Sequence, residues 1–255
     1  MVTDGGLRLS LEERNLFSVA IGNVIESKRS AARIILRRET GFGAAPLPPA
    51  ASSADAAVAQ KTYAQIKATA DGICAEWLRM IEALLAPSER VAEHSEAEHR
   101  SRSVAEAVFY LNMRANAYRC LAEFSDGVER AEYQGRAMQA YAEADERAES
   151  GLPAAHSIRL DGGLSRARFM YEVDRGAERA VELLRRTHDA AMSELDSLDE
   201  EEWYKDLSLI GIRTSGWPPC GGAATPTAAL QFIRRTWTQM ERQQRADDEA
   251  RVGMA

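Results

Sequence analysis

The stretch that decides the fold is LSLEERNLFSVAIGNVIESKRSAARIILRR, residues Leu9–Arg38. Ser10 is followed three residues later by Glu13, which is the capping-box pattern of a helix N-terminus. No proline interrupts the stretch, so it predicts one long helix. Arg29 and Arg33 are four residues apart and share a face of that helix. Two cations on one face mark it as a candidate binding surface.

A second helical run supplies a further arginine. It reads VFYLNMRANAYRCLAEF, residues Val108–Phe124, and carries Arg119. Val19 and Gly22 lie on roughly the same stripe of the first helix as Arg29. Two helices that present guanidinium groups inward would form a fork suited to a phosphate. This pattern points to binding an anionic group on a protein partner and not to catalysis.

Composition favours an all-α protein. The chain has 255 residues, of which 45% are hydrophobic, enough for a core in one large domain or two small ones. Ala, Glu, Arg and Leu dominate, and no alternating Val/Ile-rich run indicates a sheet. The net charge of −7 argues against a nucleic-acid surface.

The cysteines and the apolar runs indicate the compartment. Cys74, Cys120 and Cys220 form no CxxC pair, and an odd count is not a disulfide framework. We therefore expect a reducing compartment. The N-terminus lacks a signal-peptide pattern, and no apolar run approaches the roughly 20 residues of a membrane helix. The prediction is a soluble cytoplasmic protein without a membrane partner.

The chain is expected to form a single helical domain over residues 9–245, with neighbouring helices antiparallel. Residues 1–8 are predicted as a disordered stub and residues 246–255 as a disordered tail. Irregular insertions rich in Pro, Gly or charge are predicted near 41–57, 87–103 and 215–227. The remaining helices are predicted at about Val58–Leu85, Ala105–Phe124, Glu129–Ser150, Ala155–Val173, Ala177–Leu195, Trp203–Ile212 and Ala228–Arg245.

Several strings resemble one family, the 14-3-3 phosphopeptide-binding adaptors. They occur in the family's order and span most of the chain. The resemblance implies an all-α antiparallel helical array that forms a concave groove, and an adaptor in place of an enzyme. The strings are LSLEERNLFSVA (Leu9–Ala20), YRCLAEF (Tyr118–Phe124), AHSIRL (Ala155–Leu160), AAMSELDSL (Ala190–Leu198) and YKDLSLI (Tyr204–Ile210).

The resemblance also assigns the phosphate clamp. The family holds phosphoserine or phosphothreonine with one lysine, two arginines and a tyrosine. By position, the arginines fall on Arg29 and Arg119, the lysine on Gly22 and the tyrosine on Cys120. Half of the clamp is retained, which implies weakened binding of phosphorylated partner proteins.

The rest of the groove is carried over in the same way. The asparagine that holds the peptide backbone falls on Ser165, which Leu164 precedes as in the family. A groove valine falls on Arg168, and the groove glutamate falls on Glu172. Ser165 would bond the peptide backbone, and Arg168 would add positive charge.

The remaining groove positions are apolar or basic. Val19, Leu164 and Ile210 would form an apolar wall for the bound segment. Trp237 is a candidate for the groove tryptophan of the last helix, displaced by the break near 215–227. Arg33 would assist the two clamp arginines.

An alternative from another class stays open. Arg29 and Arg33 could form an ordinary solvated face with Glu26. The chain would then be a degenerate helical interaction scaffold that no longer binds phosphopeptides. The geometric difference is whether the guanidinium groups of Arg29 and Arg119 converge on one pocket.

Catalytic, metal and cofactor sites are not expected. His94 and His99 have acidic neighbours, but their spacing does not place them on one helix face. Cys120 lacks the histidine context of a nucleophile. No glycine-rich phosphate loop is present in the sequence.

The oligomeric state is the first testable prediction. The family begins with two helices that build most of its dimer contact, whereas this sequence reaches the third helix directly after MVTDGGLR. Stable interfaces bury on the order of 1,200–2,000 Å². We therefore expect a monomer or weak dimer, with a heterodimer with a full-length family member left open, and Phe17, Ile25 and Trp77 partly uncovered. Sedimentation at several concentrations measures this, and a dimer that persists at nanomolar concentration would contradict it.

Overall fold

The structure is a computed structural model that describes residues 9–40, 53–94, 97–172, 176–195 and 226–253. Within those ranges the chain forms seven helices and no strand, so the all-α prediction is confirmed there. The helices are α1 Leu11–Thr40, α2 Ser53–His94, α3 Ala97–Phe124, α4 Gly127–Gly151, α5 Ser157–Glu172, α6 Ala177–Leu195 and α7 Pro226–Gly253. The predicted stub 1–8 and the predicted helix Trp203–Ile212 lie outside the described ranges.

The first helix begins as its sequence predicts. The Ser10 backbone N–H donates to Oε2 of Glu13 at 2.8 Å, and the Glu13 N–H donates to Oγ of Ser10 at 3.3 Å. The two reciprocal bonds satisfy amide groups that a helix start leaves unpaired. This cap fixes where α1, the helix that carries Arg29, begins.

The three predicted insertions and the predicted tail all contain more helix than expected, so their predicted bounds are wrong. The insertion at 87–103 is helical except at residues 95–96, which lie outside the described ranges, because α2 continues to His94 and α3 begins at Ala97. The insertions at 41–57 and 215–227 overlap the starts of α2 and α7, and α7 also continues through most of the predicted tail 246–255 to Gly253. Residues 87–103 are rich in Glu and Arg, which favour helix even where few apolar residues are present.

Consecutive helices pack against one another, and α3 also packs against α5, as α5 does against α7. One core cluster joins α1, α2, α3 and α4, and a second joins α5, α6 and α7. A third, smaller cluster pairs Tyr141 of α4 with Phe169 of α5, with ring centroids 5.7 Å apart. The third cluster ties the two halves together, so α3 and α5 keep a fixed relative position.

The apolar residues of α1 are distributed differently from the expectation. Ile25 is 0% and Trp77 is 3% exposed, so the prediction that they would be uncovered is wrong, while Phe17 is partly buried. Ile25 of α1 and Trp77 of α2 both belong to the first core cluster, which joins α1, α2, α3 and α4. The exposed large apolar side chains in the described part of α1 are instead Leu16, Val19, Val24 and Ile34.

None of the helices in the described ranges is both long and apolar enough to cross a membrane.

The approach of α5 to α3 depends on a glycine. A Cβ atom at Gly162 would lie 2.8 Å from Nδ2 and 3.2 Å from Oδ1 of Asn112, whose side chain is buried. Contacts that short force the asparagine or the helix to shift. Position 162 therefore has room for the hydrogen atom of a glycine but not for a Cβ atom.

Gly162→Ala should destabilise the protein by about 1–3 kcal/mol, because a buried asparagine has little room to move. Gly135→Ala on α4 is the matched control, since Gly135 is exposed and a Cβ there would meet nothing within 4 Å. That control should stabilise by about 0.5–1 kcal/mol through helix propensity alone. Urea unfolding measures both, and equal effects of the two substitutions would contradict the close approach.

Candidate functional site

Arg29 and Arg119 converge on one carboxylate. Arg29 of α1 and Arg119 of α3 are each 2% exposed. Nη2 of Arg29 donates to Oε1 of Glu123, and Nε of Arg119 lies 3.4 Å from the same oxygen atom. Glu123 therefore bridges two buried guanidinium groups that come from different helices.

Both arginines have a second acidic neighbour. Nη2 of Arg119 donates to Oε2 of Glu172 at 2.5 Å, which links α3 to α5. Nη1 of Arg29 lies 3.8 Å from Oε2 of Glu26, one turn earlier on α1. The side chain of Glu172 is 47% exposed, whereas that of Glu123 is 21% exposed. Glu172 is thus the carboxylate on the open side of Arg119.

The two arginines remain charged. Burial lowers the pKa of Arg29, with the Glu123 carboxylate acting in the opposite direction. Burial also acts to lower the pKa of Arg119, but Glu123, Tyr141 and Glu172 outweigh it, so that pKa is raised. A guanidinium has so high an ordinary pKa that both groups stay protonated at any physiological pH. The site therefore has two fixed positive charges, which nearby carboxylates balance.

Tyr141 of α4 supports Arg119 from the protein interior. Its hydroxyl donates to Oδ1 of Asn116 at 2.7 Å, and it is fully buried. Burial raises the pKa of Tyr141 to about 12, although Arg119 favours the phenolate. The tyrosine therefore remains neutral and helps to hold the α3–α4 side of the site.

The positions predicted to match the family's lysine and tyrosine, Gly22 and Cys120, contribute no polar side chain to the arginine pair. Gly22 is buried in α1, two turns before Arg29. Cys120 is 0% exposed and packs in the first core cluster. A tyrosine at position 120 would overfill that core, so simply restoring the family residue there would be costly.

The α5 side of the site is more charged than an apolar wall. Leu164 and Ser165 are buried, and Arg168 is half-buried one turn before Glu172. Arg168 also interacts electrostatically with Asp161, two turns earlier on α5. The predicted groove residues Leu164, Ser165 and Arg168 thus lie on the same helix as Glu172, whose carboxylate binds Arg119.

The other predicted site residues are not brought to the arginines by any contact in the described part of the chain. Val19 lies on α1 and is 38% exposed. Trp237 of α7 packs against the His188 ring, with centroids 5.0 Å apart, beside the second core cluster. Arg33 belongs to α1, but its side chain is outside the described part, as is the whole of Ile210.

Sequence reasoning missed Glu123, the residue that organises the site. It stands in the quoted string YRCLAEF, four residues after Arg119. That spacing places a carboxylate and a guanidinium on one helix face, and it is the sequence feature that indicates their pairing.

The described residues contain no group of three or more metal-ligating side chains.

Glu123→Gln should lower the free energy of unfolding by about 2–4 kcal/mol, because it leaves two buried guanidinium groups without their shared anion. Glu132→Gln is the matched control. Glu132 bonds Arg136 at 2.5 Å on the surface of α4, where both side chains are more than half exposed. Its loss should change the free energy of unfolding by less than about 0.5 kcal/mol. Chemical denaturation measures both changes. If Glu123→Gln left the free energy of unfolding unchanged, the bridge would not contribute to stability.

Comparison with known proteins agrees with this architecture. The family model described as "14-3-3 protein" matches residues 1–212. The rice 14-3-3-like protein GF14-D is 38% identical over 209 residues, covering 81% of this chain and 71% of its own length. The rice protein GF14-A is 37% identical over 205 residues, covering 79% and 70%. The 14-3-3-like protein B of Vicia faba is 35% identical over 207 residues, covering 80% and 71%. With the helical array and the paired arginines, these matches establish that the chain belongs to the 14-3-3 family.

Proposed function

We propose that this protein is an adaptor that binds phosphoserine- or phosphothreonine-containing segments of partner proteins through a weakened phosphate clamp. Members of its family are adaptors of this kind. The observation that carries the proposal for this chain is the convergence of Arg29 and Arg119 on the single carboxylate of Glu123. A site that holds one anion between two guanidinium groups has the geometry to hold another.

The phosphate would bind by exchange of partners on Arg119. Glu172 is the more exposed of the two carboxylates on this arginine, so it can turn towards solvent. A phosphate dianion would take its place and bring acceptor oxygens to Arg29 as well. Glu123, which is less exposed, would stay and keep both guanidinium groups aimed at the same point.

The affinity should be lower than that of a complete clamp. Each charge-assisted hydrogen bond contributes roughly 1.5–3 kcal/mol, and the lysine and tyrosine contacts are both absent. Their loss corresponds to at least a tenfold weaker complex. Arg168 and Arg33 are the candidates for partial compensation, because each adds a cation near a clamp helix.

The bound segment would extend along α5. Ser165 would hydrogen-bond the backbone of the segment, and Leu164 would contact its apolar side chains. Val19, Ile210 and Trp237 remain predicted members of the groove. The proposed adaptor function requires no catalytic residue and no cofactor.

The remaining parts of the proposal concern assembly and location. Cys74 and Cys120 are free thiols, which fits a reducing compartment such as the cytoplasm. The monomer or weak dimer expected from the sequence stays a prediction.

The function is tested by titrating a phosphoserine peptide and its unphosphorylated twin into the protein. We expect the phosphorylated peptide to bind at least tenfold more tightly, because only the phosphate reaches the two guanidinium groups. Equal affinities would contradict the proposal and favour the degenerate interaction scaffold.

A variant that is expected to bind more tightly tests the clamp positions in the same titration. Gly22→Lys returns a cation to the α1 stripe of Arg29 and should tighten the phosphopeptide complex severalfold. Asn23→Lys is the matched control, because it adds the same charge to an exposed position on a different face of α1. Equal effects of the two lysines would mean that general charge, and not the clamp, governs binding.

A further inference from the structure

The outward side of α7 carries arginines that lie far from the core contacts of this helix. Ile233 and Met240 are buried in the second core cluster. Arg235 and Arg242 have the same seven-residue spacing, each two residues further along the chain, and both are exposed. Two residues turn a helix by roughly 200°, so these arginines lie on the side of α7 opposite the core. Their guanidinium groups are therefore accessible from outside the protein.

The charge on this side of α7 is not balanced by neighbouring carboxylates. Within the described part of the chain, no ion pair includes Arg234, Arg235 or Arg242. No acidic residue stands three or four positions from any of the three, so the usual pairing along a helix is also absent. Glu241 is adjacent in sequence, but it pairs with Arg185 of α6. We call the three arginines the basic face of α7.

A shallow depression of about 400 Å³ lies between the arginines of the basic face. Oγ1 of Thr238 donates to the carbonyl oxygen of Arg234 at 2.9 Å, which leaves this hydroxyl oxygen able to accept a bond from outside. The two glutamine amides of the depression can both donate and accept. Its lining consists of Gln231, Arg234, Arg235, Thr238, Gln239 and Arg242.

We infer that the basic face of α7 binds a short carboxylate-rich segment of a partner protein. A guanidinium group matches a carboxylate with two parallel hydrogen bonds, and three such groups surround the depression. The amide and hydroxyl side chains between them would bond the backbone of the segment. The inference does not depend on phosphopeptide binding, because none of these residues belongs to the arginine pair.

The length of the depression sets the length of the segment. Gln231 and Arg242 stand eleven positions apart, which is about 16 Å along a helix axis. An extended chain advances about 3.3 Å per residue, so about five residues span the depression. Arg235 and Arg242 are about 10 Å apart along the axis, which matches carboxylates about three residues apart. A segment of five or six residues with several acidic side chains therefore fits.

A short peptide fits this surface better than a membrane or a nucleic acid. The chain has a net charge of −7, which repels an extended anionic surface as a whole. Charges further away than roughly 8 Å are largely screened at physiological ionic strength, so a short peptide responds mainly to the nearby arginines. The six residues that line the depression include no aliphatic side chain to enter a lipid layer and no aromatic ring to stack on a base.

The test measures binding of fluorescently labelled hexaglutamate to the full chain by anisotropy, with uncharged hexaglutamine as the reference peptide. We expect hexaglutamate alone to bind saturably, and its affinity to fall severalfold between about 50 mM and about 300 mM salt because the contacts are exposed. The triple variant Arg234→Gln, Arg235→Gln, Arg242→Gln should bind it at least tenfold more weakly. Glutamine has nearly the helix propensity of arginine, so the melting temperature should be unchanged.

The matched control removes the same amount of charge from elsewhere on the surface. Arg79, Arg136 and Arg186 are exposed, and each pairs with a glutamate on its own helix. Their triple replacement by glutamine should leave the affinity for hexaglutamate within twofold of the parent, even though the net charge equals that of the first variant.

Three outcomes would overturn the inference. The first is an absence of hexaglutamate binding to the parent chain at low salt. The second is equal weakening by the two triple variants, which would assign the binding to overall charge. The third is that the basic face is needed for self-association, or for binding phosphatidylserine vesicles or single-stranded DNA, but not for hexaglutamate.

Discussion

The structure of the site depends on the carboxylate of Glu123 between Arg29 and Arg119. Two guanidinium groups that are almost completely buried would repel each other and lose their hydration. A shared anion offsets both costs, and it does so across α1 and α3, which carry one arginine each. Glu172 adds a link from α3 to α5, so three helices meet at two cations. The geometry of the arginine pair is therefore a property of the folded core and does not require a ligand to assemble it.

The same neutralisation limits what the site can bind. The carboxylates that stabilise the buried arginines also compete with any incoming anion, so part of the attraction for a phosphate is already used within the protein. A lysine at position 22 would restore an excess of positive charge, but this chain has a buried glycine there. Cys120 likewise is completely buried in the first core cluster and contributes no donor to the arginines. In the proposed clamp, both replacements would leave the arginines in place and reduce the number of donors available to a phosphate.

Sequence reasoning predicted the parts of the fold that local rules determine. The Ser10–Glu13 cap and the all-α class follow from local hydrogen bonding and helix propensity. The segment 87–103 was mistaken for an irregular insertion because it has few apolar residues, although its residues favour helix. The role of Glu123 does not follow from local rules, because the pairing of charges between helices is decided by tertiary packing. The burial of Trp77 in the first core cluster is likewise decided by how the helices pack against one another.

The most direct test of this account is an experimental structure of the protein bound to a phosphoserine peptide. We expect phosphate oxygens within hydrogen-bonding distance of the guanidinium groups of both Arg29 and Arg119, with Glu123 still between them and Glu172 turned away from Arg119. A peptide whose phosphate lies elsewhere, while Glu172 remains on Arg119, would contradict the proposed binding mode.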